Sequence, residues 1–305
     1  MKISGINFSY VKKKYLDFLK KQEVLGEPFF DKIGQFKNFY IPICISIKKK
    51  HKLNKKTLII GLSGGQGSGK TTISKIIKII LRSAFNLNTL SFSIDDFYKT
   101  RLQRKKLAKN IHHLFLTRGV PGTHDINLIK KCFSNLVKKK FKPFLIPKFD
   151  KSNDDRYHLS KWTKVKKKPD IVIFEGWCVG AKNQTVPQLK KPINNLEKKY
   201  DKKLIWRKKV NFELSGQYRE VFKTINELIF LKVPSFNYVF KWRLLQEEKL
   251  KTLSKGKKTM SKNQIKEFIM HYERITLQMI KDLNRSANVV INLDKKHRLS
   301  KIKFN

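Results

Sequence analysis

The chain has 305 residues, and 40% of them are hydrophobic, so it is long enough to bury a sizeable core and is not disordered as a whole. No apolar run approaches the roughly 20 residues of a membrane span, and residues 1–14 lack the apolar core of a secretory signal. We therefore expect a soluble, cytoplasmic protein with no membrane partner. The cysteines lack disulfide or metal-ligand spacing, which predicts small buried side chains at Cys44, Cys132 and Cys178.

The charge is strongly positive, because 69 lysine and arginine residues stand against 23 acidic ones and give a net charge of +46. The lysines run from end to end, for example at 48–50, 138–140 and 166–168, instead of forming one tail or stripe. This distribution favours a solvated lysine surface, and the alternative is a functional polyanion-binding face. We therefore do not expect a nucleic-acid partner.

Residues 1–56 contain an amphipathic stretch around Tyr15, a Gly/Pro break and a lysine-rich connector, which predicts an N-terminal helical extension. Six apolar runs with strand character follow, at residues 57–62, 90–94, 144–147, 171–174, 228–232 and 289–293. Helical patterns between them predict an α/β fold with a mainly parallel sheet flanked by helices. We interpret residues 57–305 as one domain, with an insertion at about 181–209 and a lid at about 253–262.

The first strand run leads into the sequence GGQGSGKTT and then into a helical pattern, which is the context that a P-loop (Walker A) motif requires. Glycines allow positive φ, so that successive backbone N–H groups form a nest for phosphates. Lys70 supplies a cation to the β and γ phosphates, and the Thr71 hydroxyl is suited to Mg²⁺. The predicted ATP-binding residues, with Mg²⁺ as the metal, are Gly64, Gly65, Gln66, Gly67, Ser68, Gly69, Lys70, Thr71 and Thr72.

The second strand run ends in Asp95 and Asp96. In a right-handed βαβ unit its carboxyl end emerges at the same sheet edge as the P-loop, near the γ phosphate. A carboxylate there can accept the proton of an attacking hydroxyl or hold the water shell of the metal. The alternative is that one of the pair only caps the following helix. We assign catalysis to Asp95 and a capping or supporting role to Asp96.

The apolar run at 171–174 ends in Glu175. An acidic side chain that closes a buried strand at this edge can bind Mg²⁺ through water, which predicts a metal role for Thr71 together with Glu175. The alternative is an exposed glutamate at the strand end that holds no metal.

Six ordered motifs resemble the uridine kinase, phosphoribulokinase and pantothenate kinase branch of the P-loop kinases, and within it the D-glycerate 3-kinase-like proteins. They cover most of residues 57–285 and read GLSGGQGSGKTT (61–72), SIDDFYKT (93–100), TRGVPGTHD (117–125), PKFDKSNDDR (147–156), IFEGWCVG (173–180) and FNYVFKWRLLQE (236–247). The resemblance implies a P-loop NTPase fold in which Asp95 is the general base and Glu175 belongs to the metal or substrate shell. It also implies that Arg243 lies near the transferring phosphate, and the alternative is a surface salt bridge of Arg243 with Glu247.

The resemblance favours D-glycerate as the small-molecule hydroxyl acceptor. A hydroxy acid requires a cation for its carboxylate, and Arg118 or Arg156 is chemically suited to this role. His124 shares a loop with Arg118 and is a third candidate for substrate binding. The alternatives are a structural loop arginine at Arg118 and a structural histidine or helix cap at His124.

The predicted function is therefore transfer of the γ phosphoryl group of ATP to D-glycerate, with Asp95, Lys70 and Arg243 as the catalytic residues. Three alternatives stay open: a kinase of the same fold that acts on a nucleoside, pantothenate or a sugar phosphate; a noncatalytic ATP-binding protein with a basic RNA-binding surface; and an ATPase or switch that needs no acceptor.

Overall fold

The computed structural model of the chain describes residues 6–24, 26, 28–253 and 259–305. Its α-helices are α1 (Phe8–Val24), α2 (Lys32–Gln35), α3 (Ile41–Asn54), α4 (Lys70–Phe85), α5 (Arg101–Asn110), α6 (Ile126–Val137), α7 (Val186–Lys190), α8 (Asn195–Tyr200), α9 (Ile205–Glu213), α10 (Arg219–Phe222), α11 (Phe236–Leu253) and α12 (Lys262–Ser286). The strands are β1 (Leu58–Gly64), β2 (Thr89–Ser93), β3 (Phe144–Ile146), β4 (Phe149–Asp150), β5 (Asp155–Arg156), β6 (Thr163–Val165), β7 (Ile171–Gly176), β8 (Glu227–Lys232), β9 (Val289–Leu293) and β10 (Leu299–Phe304). In this part of the chain, no helix has the length and apolar character needed to cross a lipid bilayer.

A six-stranded sheet with the order β10-β9-β8-β1-β7-β2 forms the centre of the molecule. Its strands pair in parallel, except that β10 runs antiparallel to β9. Every residue of β1 and β7 is buried, as expected for parallel strands that helices cover on both faces. The α/β fold with a mainly parallel sheet is confirmed.

Alternating side chains of the central strands point to opposite faces of the sheet and pack in two separate apolar cores. Ile59 of β1 and Phe174 of β7 belong to one core, together with α6 and the inner face of α12. Leu58 and Ile60 belong to the other, together with α4, α1 and α3. The helices at residues 8–24 and 41–54 are therefore packed on the sheet through the same core as the helix that follows the P-loop. The domain boundary at residue 56 stays a prediction.

Five of the six strand runs lie in the central sheet, but the run at 144–147 does not. Residues Phe144–Ile146 pair with Thr163–Val165 in a separate two-stranded antiparallel sheet. The sequence also left β10 unpredicted, because its lysines alternate with apolar residues at an exposed sheet edge. The three cysteines are buried and free, as expected.

The predicted insertion at 181–209 contains α7, α8 and the first part of α9. A buried ion-pair network holds this segment, with Glu197 contacting Arg207 and Arg274, and Asp201 contacting Arg207. Residues 254–258 of the predicted lid at 253–262 lie outside the described residues.

Candidate active site

The P-loop connects β1 to α4, and two of its glycines have a backbone that favours glycine. Gly67 has φ of 74° and Gly69 has φ of 79°, in the left-handed region where other residues are strained. A Cβ at Gly67 would also meet the Cβ of Trp242 at 2.8 Å. These two positions explain why the turn needs glycine.

Lys70 begins α4 and folds back over the loop. Its Nζ donates hydrogen bonds to the carbonyl oxygens of Gly64 at 3.0 Å and Gly65 at 2.9 Å. Burial lowers the pKa of the Lys70 ammonium, while the nearby carboxylates of Glu175 and Asp95 oppose this shift. The ammonium therefore lies in the loop where phosphates would be held.

The register of the sheet brings the two predicted acidic residues to the P-loop edge. Glu175 of β7 is the partner of Leu62 in β1 and of Ser93 in β2. Asp95 follows Ser93 by two residues, in a single 3₁₀ turn. Parallel pairing therefore places both carboxylates at the same end of adjacent strands as the P-loop.

Thr71 and Glu175 form a hard oxygen donor set of the kind that Mg²⁺ prefers. Thr71 Oγ1 donates a hydrogen bond of 2.8 Å to Glu175 Oε1. Glu175 is only 6% exposed, and its Oε2 is buried without a protein hydrogen-bond partner. Burial raises the pKa of this carboxyl group, and the charge of Lys70 opposes the shift. A buried acidic oxygen without a partner fits a cation that supplies the missing contact.

Asp95 is held by two side chains. Its Oδ1 accepts a hydrogen bond from the Tyr98 hydroxyl at 2.9 Å, and its Oδ2 lies 2.8 Å from Lys151 Nζ. Burial alone would raise the pKa of Asp95, but the charge and hydrogen bond of Lys151 lower it well below its ordinary value. The carboxylate is therefore ionised at neutral pH.

Asp96 has the supporting position expected for it. Its Oδ2 accepts the backbone N–H of Ser93 at 3.2 Å and completes a capping box at the start of the 3₁₀ turn. Burial raises the pKa of Asp96. The cap fixes the turn that carries Asp95.

A cleft of about 400 Å³ opens where these groups meet. Four of its lining side chains are cationic and three are acidic. Its wall is made of Gln66, Gly67, Lys70, Thr71, Ser93, Asp95, Asp96, Tyr98, Arg118, Lys151, Glu175, Gly176, Trp177, Arg243, Gln246, Phe268 and Tyr272. The space is of the size that small-molecule sites have.

Arg118 and Arg243 reach this cleft, and each is held by a carboxylate. Arg118 pairs through Nη1 with Asp154, and its guanidinium lies over the Phe149 ring. Arg243 Nη2 lies 2.7 Å from Glu247 Oε2. The salt bridge considered as the alternative for Arg243 is therefore present, but its side chains are 17% and 7% exposed, so it is a largely buried pair at the cleft.

His124 and Arg156 do not line the cleft, and their role in substrate binding stays a prediction. His124 is 0% exposed, and its ring stacks on Tyr98 at 4.5 Å. Burial lowers the pKa of His124 to about 3, so it is a neutral imidazole. Arg156 Nη2 donates to Tyr98 O at 2.9 Å and lies 3.3 Å from Asp125 Oδ2. Both residues therefore contact Tyr98, His124 through its ring and Arg156 through the backbone carbonyl.

Lys151 and Tyr272 are among the cleft residues for which the sequence predicts no role. Lys151 comes 56 positions after Asp95 in sequence, in a turn between β4 and β5 that no strand pattern places near the P-loop. In the sequence, its position inside the motif at 147–156 is the only indication that Lys151 belongs to the site. Tyr272 donates a hydrogen bond of 2.8 Å to the carbonyl of Arg118 and so fixes the loop that carries this arginine.

Comparisons with known proteins agree with this geometry. A family model for the phosphoribulokinase/uridine kinase family matches residues 59–211. The uncharacterized kinase mug58 of Schizosaccharomyces pombe is 35% identical over 235 residues, which are 74% of this chain and 82% of that protein. The chloroplastic D-glycerate 3-kinase of Arabidopsis thaliana is 27% identical over 253 residues. These residues are 77% of this chain and 52% of that protein.

The fold also has a solved counterpart. The structure of a D-glycerate 3-kinase from Cryptococcus neoformans var. grubii matches with a TM-score of 0.72 at 23% identity, and covers 86% of this chain and 96% of that chain. At this identity the match shows the shared fold. The family model and the relative at 35% identity agree with the P-loop and the acidic strand ends. The chain therefore belongs to the phosphoribulokinase/uridine kinase family of P-loop phosphotransferases.

Proposed function

We propose that this chain transfers the γ phosphoryl group of ATP to a hydroxyl group of D-glycerate. The observation that carries the proposal is the pairing of Asp95 with Lys151 in a cleft that also contains Lys70 and Arg118. An ionised carboxylate can take a hydroxyl proton, and the cations beside it suit a small anionic acceptor. Similarity to proteins described as D-glycerate 3-kinases supports the choice of acceptor.

The reaction divides among the residues of the cleft. Asp95 orients the acceptor hydroxyl and takes its proton as the oxygen attacks the γ phosphorus. Lys70 and Arg243 neutralise the negative charge that develops as the bond from the γ phosphorus to the bridging oxygen breaks. ADP then leaves as the second product. Because Asp95 is already ionised, it needs no separate deprotonation at neutral pH.

Mg²⁺ would be held by Thr71 and Glu175 through their oxygen atoms. When bound, it supplies positive charge that neutralises phosphate oxygens. The buried Oε2 of Glu175, which has no hydrogen-bond partner in the protein, is the observation that favours this assignment.

The carboxylate of the acceptor would contact Lys151 and Arg118. Lys151 is 62% exposed even though it contacts Asp95, so its long side chain can turn toward a bound anion. Arg118 offers the planar fork that binds a carboxylate through two parallel hydrogen bonds. Tyr98 keeps Asp95 in place through Oδ1 when Lys151 turns to the acceptor.

An ADP-release assay with purified protein and MgATP tests the proposal. D-glycerate, uridine, pantothenate and ribulose 5-phosphate are offered one at a time, next to a reaction without acceptor. We expect ADP release that depends on D-glycerate. Release with another acceptor would identify a kinase of the same fold with a different substrate, and equal release without any acceptor would identify an ATPase.

A further inference from the structure

A second cavity, of about 440 Å³, opens beside the P-loop. The loop and α11 separate it from the catalytic cleft, because neighbouring residues face different spaces. Gly67 and Arg243 line the cleft, whereas Gly69 and Trp242 line the second cavity. A nucleotide with its phosphates in the P-loop and its γ phosphate near Asp95 would extend its base into this second cavity.

The walls of this cavity suit a flat ring. Trp242 and His297 stack with their ring centroids 4.2 Å apart at an angle of 18°. The ring of His297 lies close to the P-loop, since its Nε2 is 3.7 Å from the place where a Cβ on Gly69 would be. Aromatic walls of this kind bind bases through their π faces.

The outer wall comes from the N-terminal segment, which lies outside the residues that the family model matches. Pro28, Phe29, Phe30 and Gln35 line the cavity opposite α11. Phe30 is 52% exposed, which is unusual for a large aromatic side chain that only fills a core. A base bound in the cavity would cover the exposed ring of Phe30.

Three side-chain hydrogen bonds hold this wall in position. Gln35 Nε2 donates to Leu299 O at 2.8 Å, and Leu299 N donates to Gln35 Oε1 at 3.0 Å. This paired amide contact joins the N-terminal segment to the turn between β9 and β10, which carries His297. Tyr15 of α1 adds a third contact, because its hydroxyl donates to the carbonyl of Lys32 at 3.1 Å.

We propose that the N-terminal extension completes the nucleotide site: Phe29 and Phe30 cover the purine base of ATP, and Gln35 is a positioning residue that holds the turn of His297 against the base. This inference rests on the proposed function for the identity of the nucleotide. It adds a role for residues 28–35, to which the phosphoryl-transfer chemistry assigns none.

Binding of ATP and of inorganic tripolyphosphate by isothermal calorimetry separates the base from the phosphates. The double variant Phe29→Ala/Phe30→Ala is expected to bind ATP at least about tenfold more weakly, because a base loses its aromatic contacts. Its affinity for tripolyphosphate should equal that of the wild type. Gln35→Ala should show the same split, since a displaced turn affects the base and not the phosphates.

Ile33→Ala is the matched control, because Ile33 is 40% exposed in the same short helix and does not line the cavity. It should leave the affinity for ATP unchanged. Wild-type protein that binds tripolyphosphate as tightly as ATP, or variants that lose both ligands equally, would overturn the inference. The two proposals can fail separately. If the Phe29/Phe30 variant loses affinity for ATP but not for tripolyphosphate, the inference is supported. If the wild type also phosphorylates no acceptor, the proposed function is overturned.

Discussion

Asp95 must meet three conditions to act as the proposed general base. Its carboxylate must be ionised, close to the P-loop and free to receive a proton. Tyr98 and Lys151 satisfy the first two needs in the structure. The third depends on exposure, and the side chain of Asp95 is 26% exposed. A partly exposed, ionised carboxylate at the mouth of a phosphate site is a suitable general base.

Replacement of Asp95 by asparagine should separate chemistry from binding. Asp95→Asn removes the proton acceptor at nearly the same volume, so we expect kcat to fall by about 10²- to 10⁴-fold while ATP still binds. Lys70→Ala should lose ATP turnover as well, because the cation at the phosphates is gone. Steady-state kinetics with calorimetric ATP binding checks both variants. Full phosphoryl transfer by Asp95→Asn would remove its assigned role.

Lys151 is expected to set the pH range in which Asp95 acts as the proposed general base. The Lys151 ammonium holds the pKa of the Asp95 carboxyl low, so Lys151→Met should raise that pKa. A general base must be ionised, and therefore the acidic limb of the pH profile of kcat/KM should move to higher pH in the variant. The KM for D-glycerate should rise as well.

Lys151→Arg is the conservative control and should restore the acidic limb to near its wild-type position. An acidic limb that stays in place in Lys151→Met would show that Lys151 does not set the pKa of Asp95.

The sequence predicted the P-loop and the two acidic strand ends because each stands in a short, local pattern whose sheet position follows from parallel pairing. Lys151 could not be predicted in this way, since it reaches Asp95 through the turn between β4 and β5 and not through a sheet strand. Composition alone also could not separate His124, which is buried, from Arg118, which lines the cleft in the same loop.

At the scale of elements, strand runs were predicted well where burial on both faces leaves a continuous apolar stretch, as in β1 and β7. The run at 144–147 has the same composition but pairs with Thr163–Val165 outside the central sheet. An apolar run does not encode which strand it pairs with, so this difference could not be predicted. β10 was missed for the opposite reason, because its exposed edge carries lysines.

The segment at 181–209 also shows how polar composition can conceal order. It is rich in lysine and asparagine, yet α8 and α9 are joined by buried charges. Glu197 is 0% exposed and accepts hydrogen bonds from Arg274 Nε at 2.7 Å and Arg274 Nη2 at 2.6 Å. These paired charges act together with buried apolar side chains of the segment, such as Leu196 and Trp206, to hold a linker-like sequence on α12.

The variant Glu197→Gln should therefore destabilise the protein strongly. It leaves the buried guanidinium groups of Arg207 and Arg274 short of negative charge, which costs about 3–5 kcal/mol in buried pairs of this kind. Urea unfolding measures the loss. Glu220→Gln is the control, because the Glu220–Lys223 pair has side chains 54% and 58% exposed and should leave the unfolding midpoint unchanged. Equal effects of the two variants would contradict a stabilising role for the buried network.

For the whole molecule, the pH dependence of stability should carry a contribution from His124. Burial holds the pKa of His124 at about 3 in the folded chain, against 6.5 for the free side chain. Between these values the unfolded chain binds a proton that the folded chain does not. The free energy of unfolding should therefore fall as the pH drops from about 6.5 toward 3, at a rate of at most about 1.4 kcal/mol per pH unit from this residue.

Denaturant unfolding of the wild type and of His124→Gln over this pH range gives the test. The variant is expected to be less stable at pH 7 but to lose less stability on acidification. Parallel curves for the two proteins would show that His124 is not held neutral in the fold.

The cationic cleft beside the P-loop is proposed to select a hydroxy acid as the acceptor of the phosphoryl group. The most direct measurement compares kcat/KM for D-glycerate with kcat/KM for glycerol, which has hydroxyl groups but no carboxylate. The charged contacts of Lys151 and Arg118 with the carboxylate predict a preference of roughly 10²- to 10⁴-fold for D-glycerate, and Arg118→Ala should reduce that preference. Equal values for the two acceptors would contradict the account.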